Sequence, residues 1–584
     1  MEIIYLTLII ILLIGNYKLF EKAHQAGWKS LIPFYNNWLM LEIAEMKRWL
    51  IFIPIVNVVA SMIALYKISI LFKKSKTFAI LSMFFSFITI PVLAFGRDRY
   101  KKSPAAKTKK IIIEEKKEIV KKYNLLITLG IIILAVVLLS WLLPTTYYNQ
   151  VLTEDVKYQV GIFDVFNYFV VAATYFSNIL ILILTIGVFY TLLNKIDAYA
   201  KLINKISSGF NNKKWLFISL AVVFLSVLTA LTGLTVPMLF MFPFIISVLF
   251  AMGYNKFTAA LVTIGSVSVG YVGLIYMPEN TSLVNTIFAL ENGNELLARI
   301  VILVLGIAIL IYNTLKYVKD KKQNKITPAE IKEYVPTLND TKVRIWPMII
   351  ILDVICLIFM IGMIPWETEL NIKIFANATN WIKEFSIGSM PILYKLLGEI
   401  PAFGTWSALE YTVVLIIGII LLALIYKISF KDLVDAIIDG VRKHIPTVML
   451  LILAYMVLVI TLSHPFLLTI VKFLLELTKG FNIVTMSLVS FITAFFTVEK
   501  YYASLILLEY VKSVITDTAL HPLIAVLVQA MNGLALLIAP TSIILLATLA
   551  YLKISFKDWM KFITKIILQL IVILFIVFII MILI

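Results

Sequence analysis

The sequence predicts an all-α polytopic membrane protein built from two inverted repeats with re-entrant hairpins and broken helices. Three observations carry this. The 584 residues are 61% hydrophobic and only 14% charged, with a mean hydropathy of +1.00, beyond the balance of a soluble globule. Apolar segments of about 20 residues recur, the length that crosses a hydrocarbon core of roughly 30 Å, and no alternating ten-residue pattern suggests a barrel. Two interrupted apolar blocks recur at matching spacing: Thr229 of "TAL" stands 49 residues before Pro278, and Thr493 of "TAF" stands 47 before Pro540.

The N-terminal portion reads as a separate membrane module. Residues 3–14 are apolar, but Glu2 precedes them where a signal peptide carries positive charge, and no small-residue cleavage site follows, so a retained helix is expected. Lys18, Lys22 and Lys29 then favour a cytoplasmic loop. The stretch "WKSLIPFYNNWLMLEIAEM" is expected to be interfacial or re-entrant. Spans near 49–72 and 77–95 follow, and they leave Lys73, Lys74 and Lys76 outside, against the charge bias. Residues 1–101 form this module and 102–122 a basic cytoplasmic linker.

Loop charge orders the helices beyond the linker. Residues 124–143 cross outward to an acidic loop with Glu154, Asp155 and Asp164, and 166–193 return to a basic loop with Lys195, Lys201, Lys205, Lys213 and Lys214. The block 215–252 is interrupted at "TALTGLTVP" and 257–290 at "YMPENTS"; 297–315 then returns to a basic loop, 316–344, ending a first repeat over 123–344. One helix, 345–364, leads to an external segment, 365–406, and reverses the sense of all that follows. In the second repeat, 407–584, residues 407–428 come in, 444–463 go out, 482–517 and 520–551 are interrupted, and 560–584 leave. Inverted repeats with discontinuous helices are a secondary-transporter architecture, in which half-helix ends face the solute near the midplane.

The interruptions supply the candidate site. Each arm of 482–517 has about 16 residues, short of the roughly 20 of a full crossing, so a hairpin with its tip at Thr497–Lys500 is expected. Glu499 and Lys500 would then line the transport cavity; the alternatives are a structural ion pair or a tip that reaches the aqueous face. The first hairpin turns near Gly233, where Thr232 and Thr235 supply hydroxyls and glycine permits the turn. At the breaks, Glu279, Asn280, Thr281 and Ser282 match Thr541 and Ser542, the latter two following Pro540, which removes a helix hydrogen bond. Ser429 with Asp432 and Ser555 with Asp558, in the repeated "KISFKD", read as helix starts. His464 and His521 fall near the external boundary, and Asp353 in the linking span needs a partner.

Two resemblances add to this reading. "FEKAHQAGWKSLIPFYNNW", "IPIVNVV" and "PVLAFGRDRYKK" are similar to a small uncharacterised bacterial membrane domain family. "LVQAMNGLALLIAPTSIILLATLAYLKISFKDWMKF", residues 527–562, resembles the closing signature of the YfcC and C4-dicarboxylate anaerobic carrier family, within the ion transporter superfamily; "SWLLPTTYYN", "GLTVPMLFMFPFIISVLFAMGYN" and "GTWSALEYTVVLII" fit it too. That resemblance spans roughly 123–584 and places Asn532 and Gly533 at the polar spot before the second break. It implies a bacterial plasma-membrane carrier, often a homodimer. The tips depart from the family: "GLTVP" lacks its two acidic residues, and "TVEKYYA" replaces its Ser-Gly-Ser-Gly run.

The expected function is therefore secondary active transport of a small organic anion, amino acid or peptide-like solute, with sodium or proton as coupling ion. The alternative is a transport-inactive scaffold or sensor on a carrier fold. No cofactor is expected: there is no Walker loop, phosphate-binding glycine run or zinc-ligand cluster, and Cys356 is the lone cysteine. The net charge of +18 resides in short loops, as in membrane proteins generally, so no nucleic-acid partner is expected.

Overall fold

The computed structural model describes the chain apart from residues 1, 33–34, 53–55, 101–123, 145–158, 277, 292, 294, 321–325, 340–341, 363, 365, 368–369, 479, 498 and 584; side chains of 2–10, 49, 52, 56, 58 and 278–280 are also outside the description. The linker 102–122 and the acidic residues Glu154 and Asp155 thus lie outside the described residues. Two compact units result, Met1–Ile119 and Val120–Ile584.

The first unit holds α1 (Glu2–Lys22), α2 (Tyr35–Ile43), α3 (Val56–Leu71), α4 (Lys76–Phe84) and α5 (Ser86–Phe95) around Leu19, Phe20, Ile68, Phe72 and Leu93. The span expected over 77–95 is broken at Phe85, which leaves helical backbone at φ −119°. The run "FFSFITI" explains the break, since aromatic and β-branched residues lose rotamer freedom in a helix. Lys74 pairs with Asp98 at 2.6 Å, and that bond holds the Asp98 carboxyl below the ordinary aspartate range. Tyr100 donates to Ile43 O at 2.9 Å, tying the chain just after α5 to α2.

In the second unit the first repeat comprises α6 (Asn124–Leu142), α7 (Ile162–Tyr175), α8 (Ser177–Leu193), α9 (Asp197–Gly209), α10 (Lys214–Thr232), α11 (Phe242–Ala251), α12 (Lys256–Val272), α13 (Pro278–Phe288) and α14 (Leu296–Lys319). A short helix, α15 (Pro328–Tyr334), then precedes the connecting helix α16 (Trp346–Ile361) and two short helices, α17 (Ile374–Glu384) and α18 (Ile392–Leu397). The second repeat comprises α19 (Ala408–Ile425), α20 (Phe430–Ser463), α21 (Phe466–Leu477), α22 (Ile483–Phe496), α23 (Lys500–Val514), α24 (His521–Ile538), α25 (Ile543–Tyr551) and α26 (Phe556–Leu583). Among the described residues seven helices are long and apolar enough to cross a membrane, or eight if the bent pair α7–α8 is one span.

The two repeats share one order: a lone helix, a second crossing, an amphipathic helix, a hairpin, a broken helix and a closing helix. The amphipathic members, α9 and α21, escape a reading based on hydropathy. Each buries a stripe at helical spacing, Tyr199, Leu202 and Ile203 in α9 and Leu467, Leu468, Val471 and Leu475 in α21.

Three expected boundaries are corrected. The crossing 166–193 is not one helix, because α7 and α8 meet at 64° around Phe176, whose ring stacks on Tyr455 at 3.7 Å instead of continuing the helix. The helix expected over 444–463 begins at Phe430, capped by Ser429, which accepts from Asp432 N at 3.1 Å; its 34 residues include Pro446. The break in the first repeat lies before "PENTS", with residues 273–276 non-helical, because Pro278 takes the first position of α13, where a missing N–H costs nothing. The second "KISFKD" starts a helix as expected, Ser555 accepting from Asp558 N at 3.1 Å.

Both repeats converge on the connector. Tyr334 of α15 accepts at its carbonyl from Ser247 of α11 at 2.8 Å, and its hydroxyl donates to Tyr551 O of α25 at 2.8 Å. Glu333 pairs with Lys553 beside it.

Candidate functional site

The first hairpin turns because α10 ends in a left-handed glycine. Gly233 (φ 67°) donates its N–H to Thr229 O at 2.7 Å, a C-cap that a side chain would strain. Thr232 Oγ1 donates to Leu228 O at 2.6 Å and accepts from Leu234 N at 3.2 Å. Thr235 is half-buried and precedes the 3-10 turn Val236–Phe240 that starts the return arm.

The first break is joined to this tip. Ile275 N and Tyr276 N both donate to Ala230 O in the last turn of α10, at 2.8 and 3.1 Å. A Cβ on Gly270 would lie 2.4 Å from Ser226 O, so the absent side chain permits the close packing of α12 on α10. A π turn at Leu261–Gly265 interrupts α12. Thr281 and Ser282, expected at the break, sit instead in the first turns of α13, with Thr281 buried. Glu279 and Asn280 lie in the first turn of α13, their side chains outside the described residues.

The second hairpin has arms of 14 and 15 residues, about 21–23 Å of helix at 1.5 Å per residue, short of a full crossing. Asn482 starts it by accepting from Val484 N and Thr485 N. At the tip, Thr497 Oγ1 donates to Thr493 O at 2.9 Å, and Lys500, 4% exposed, donates to Ala494 O at 2.7 Å and Thr497 O at 2.8 Å. An ammonium at the C-terminus of α22 thereby meets carbonyls that a helix end leaves orphaned. Glu499 precedes α23 and accepts from Tyr455 at 2.8 Å. Thus the two adjacent charges bond in different directions, one to the hairpin's own backbone and one to α20.

Sequence and geometry agree on the second break as well. Pro540 follows Ala539, Ser542 caps α25 by accepting from Leu545 N at 3.4 Å, and Thr541 Oγ1 donates to Phe495 O at 2.6 Å. Break and tip are therefore joined in this repeat too, with small residues Ala494, Ala503, Ala535 and Ala539 packed between them.

The two repeats meet where α12 packs on α24. A Cβ on Gly533 would lie 2.4 Å from Val272 N, so only glycine allows this approach. Next to it in the chain, Asn532 is fully buried and neither Oδ1 nor Nδ2 has a hydrogen-bond partner; Gln529, one turn earlier, likewise leaves Nε2 unbonded. Arg299 of α14, 3% exposed, completes the cluster by donating to Gln529 Oε1 and to Leu274 O at the first break, the latter at 2.7 Å. Composition gives no signal for Arg299, which stands four residues after an acidic loop and reads as a boundary charge. The sequence clue is its fourth place in the closing helix, matched in α26 by Trp559, whose Nε1 donates to Leu537 O at 2.9 Å.

The structure thus brings Thr497, Lys500 and Thr541 together at the joined tip and break of the second repeat, with Asn532 and Gly533 about two turns earlier in α24, while Thr232, Gly233 and Thr235 stand at the first tip, whose return turn packs on α25. A cavity of about 40 Å³ on that side is lined by Leu239, Phe242, His444, Thr548 and Tyr551. His464 bonds Tyr168 at 2.8 Å and His521 bonds Ile515 O at 3.1 Å. Asp353 is exposed on α16. Among the described residues no group of three His, Cys, Asp or Glu side chains is placed to hold a metal.

This arrangement offers amide donors and acceptors, a guanidinium and an ammonium inside a shell of half-helix ends, which suits reversible binding of a polar solute. No curated relative matches the chain. A family of unknown function (DUF5684) matches residues 28–103. Among solved structures, the YdaH transporter of Alcanivorax borkumensis is similar at 12% identity and a TM-score of 0.35, covering 78% of this chain and 97% of its own. MtrF of Neisseria gonorrhoeae, described within a class of antimetabolite efflux pumps, is similar at 12% identity and a TM-score of 0.32, covering 78% and 94%. The C4-dicarboxylate anaerobic carrier family matches residues 148–583, nearly the whole second unit. By that match the chain belongs to the C4-dicarboxylate anaerobic carrier family and is a multi-pass membrane transporter, not an enzyme.

Proposed function

We propose that the chain is an ion-coupled secondary transporter of a small organic anion, a dicarboxylate first among the candidates, working by alternating access in a bacterial plasma membrane. The observation that supports this most is the buried, unbonded carboxamide of Asn532 beside Gln529 and the Arg299 guanidinium. An amide buried without partners costs about 1–3 kcal/mol, and a solute carboxylate accepting from Asn532 Nδ2 and Gln529 Nε2 near a cation recovers that cost. Arg299 and Lys500 give the core two positive charges, one from each repeat, and Glu499 is the candidate carboxylate for sodium or proton coupling. Homodimer formation is part of the same proposal, from family membership.

The test is uptake by the full chain in proteoliposomes across dicarboxylates, amino acids and dipeptides, with sodium and pH gradients applied separately. Dicarboxylate uptake that responds to one gradient, and falls at least tenfold in Asn532→Leu at unchanged folded yield, is the expected result. Absence of flux and of solute-dependent thermal stabilisation for every compound would instead favour the scaffold reading. The feature on that side is the rewritten tips, neutral "GLTVP" and charged "TVEKYYA".

A further inference from the structure

A groove of about 490 Å³ lies on the outer face of the second unit, between the start of the connecting helix α16 and the end of α19. Arg344 and Lys427 stand at its polar end, Trp346 and Tyr426 beside them, and Ile350 and Ile425 along its apolar wall. The frame is fixed: the Tyr426 hydroxyl donates to Arg344 O at 3.0 Å and accepts from Met348 N at 3.1 Å, locking the two helix ends together. Arg344 and Lys427 are both exposed, and neither forms an ion pair among the described residues. Both belong to basic connections, the side that the charge bias assigns to the cytoplasm.

Ile350, Ile425 and Trp346 are 52%, 46% and 58% exposed, so the wall faces outward, away from the core where the repeats meet. Two cations at headgroup level, aromatic residues at the interface and a continuous aliphatic wall one turn deeper match a molecule with a phosphate at one end and acyl chains at the other. A soluble phosphate would use only the cations and leave the wall idle. A zwitterionic lipid brings its own ammonium against Arg344 and Lys427. We propose that this groove is a binding site for an anionic phospholipid of the cytoplasmic leaflet, its phosphate between Arg344 and Lys427 and an acyl chain along Ile350 and Ile425. Bound there, the lipid braces the connecting helix against the first helix of the second repeat.

The test uses the purified, delipidated full chain and native mass spectrometry with three probes: dioleoylphosphatidylglycerol, dioleoylphosphatidylcholine and glycerol 1-phosphate. At about fivefold per basic residue, the anionic lipid should be retained roughly 25-fold over the zwitterionic one. Arg344→Gln with Lys427→Gln should erase that preference, with the unfolding midpoint in phosphatidylcholine nanodiscs unchanged as the check on folding. A brominated anionic lipid should quench a fluorescence component that disappears in Trp346→Phe, and a brominated zwitterionic lipid should quench it far less. Equal retention of both lipids by the unaltered chain, or a preference that survives the double substitution, overturns the proposal. Glycerol 1-phosphate competing as well as the lipid overturns it too, by identifying a soluble phosphate site.

Discussion

The hairpins of the two repeats leave equivalent carbonyls without helical partners and satisfy them with different chemistry. In the first repeat Ala230 O accepts from the backbone amides of Ile275 and Tyr276; in the second, Ala494 O accepts from the ammonium of Lys500. At the breaks the charge is reversed. Leu274 O is met by the Arg299 guanidinium and Leu537 O by the neutral Trp559 indole, each donor standing fourth in its closing helix. Backbone geometry is thus repeated while the donor is exchanged, and each repeat places one buried cation in the core, at the break of the first and at the tip of the second.

Removing the charged break donor should have the largest effect. Arg299→Leu strands Leu274 O and Gln529 Oε1 inside the protein, at about 1–3 kcal/mol each, so little folded material should survive detergent size-exclusion chromatography. Trp559→Phe removes one neutral donor and keeps most of the packing, and should cost about 1–2 kcal/mol. Thermal unfolding of the two variants in parallel sharpens the comparison, and equal losses would break it. Next comes Lys500→Met, expected to cost about 1–3 kcal/mol, since removing the ion also removes its desolvation penalty. Its uptake should fall by about 100-fold or more. Uptake retained within threefold would assign Lys500 to structure alone.

Much of this comparison is legible in the sequence, and what is not has physical reasons. Short arms, Gly233 and Pro540 announce the tips and breaks, because chain length against bilayer thickness and missing backbone donors are local properties. Gly533 is visible only through resemblance, because the need for glycine arises from Val272, 261 positions away. Arg299 shows in the sequence only as a position in the closing helix, for the same reason: its acceptors come from the other side of the break and from the other repeat. "PENTS" misleads by one step, since Pro278 opens a helix where Pro540 stands inside the gap. The bend at Phe176 likewise depends on a ring from α20 that no window around residue 176 contains.

Gly533→Ala tests the seam on which both repeats depend. The added methyl would meet backbone atoms of Val272, at 2.4 Å from N and 2.6 Å from Cα, which cannot rotate away, so a loss of about 1–3 kcal/mol in unfolding is expected. Gly130→Ala, with nothing within 4 Å of the added carbon and helical backbone that Ala favours, should leave the unfolding midpoint unaltered or slightly raised. The smallest effect separates the paired threonines of the hairpin arms. Thr493 Oγ1 donates to Val489 O at 2.8 Å, so Thr493→Val should cost about 0.5–1.5 kcal/mol. Thr229 Oγ1 is buried without a hydrogen-bond partner, so Thr229→Val removes an unsatisfied group at nearly constant volume and should be neutral or slightly stabilising. If Thr229→Val destabilises as much as Thr493→Val, the first hairpin's hydroxyl has a partner when the protein is in its membrane, and the chemical asymmetry between the repeats is smaller than their bonding implies.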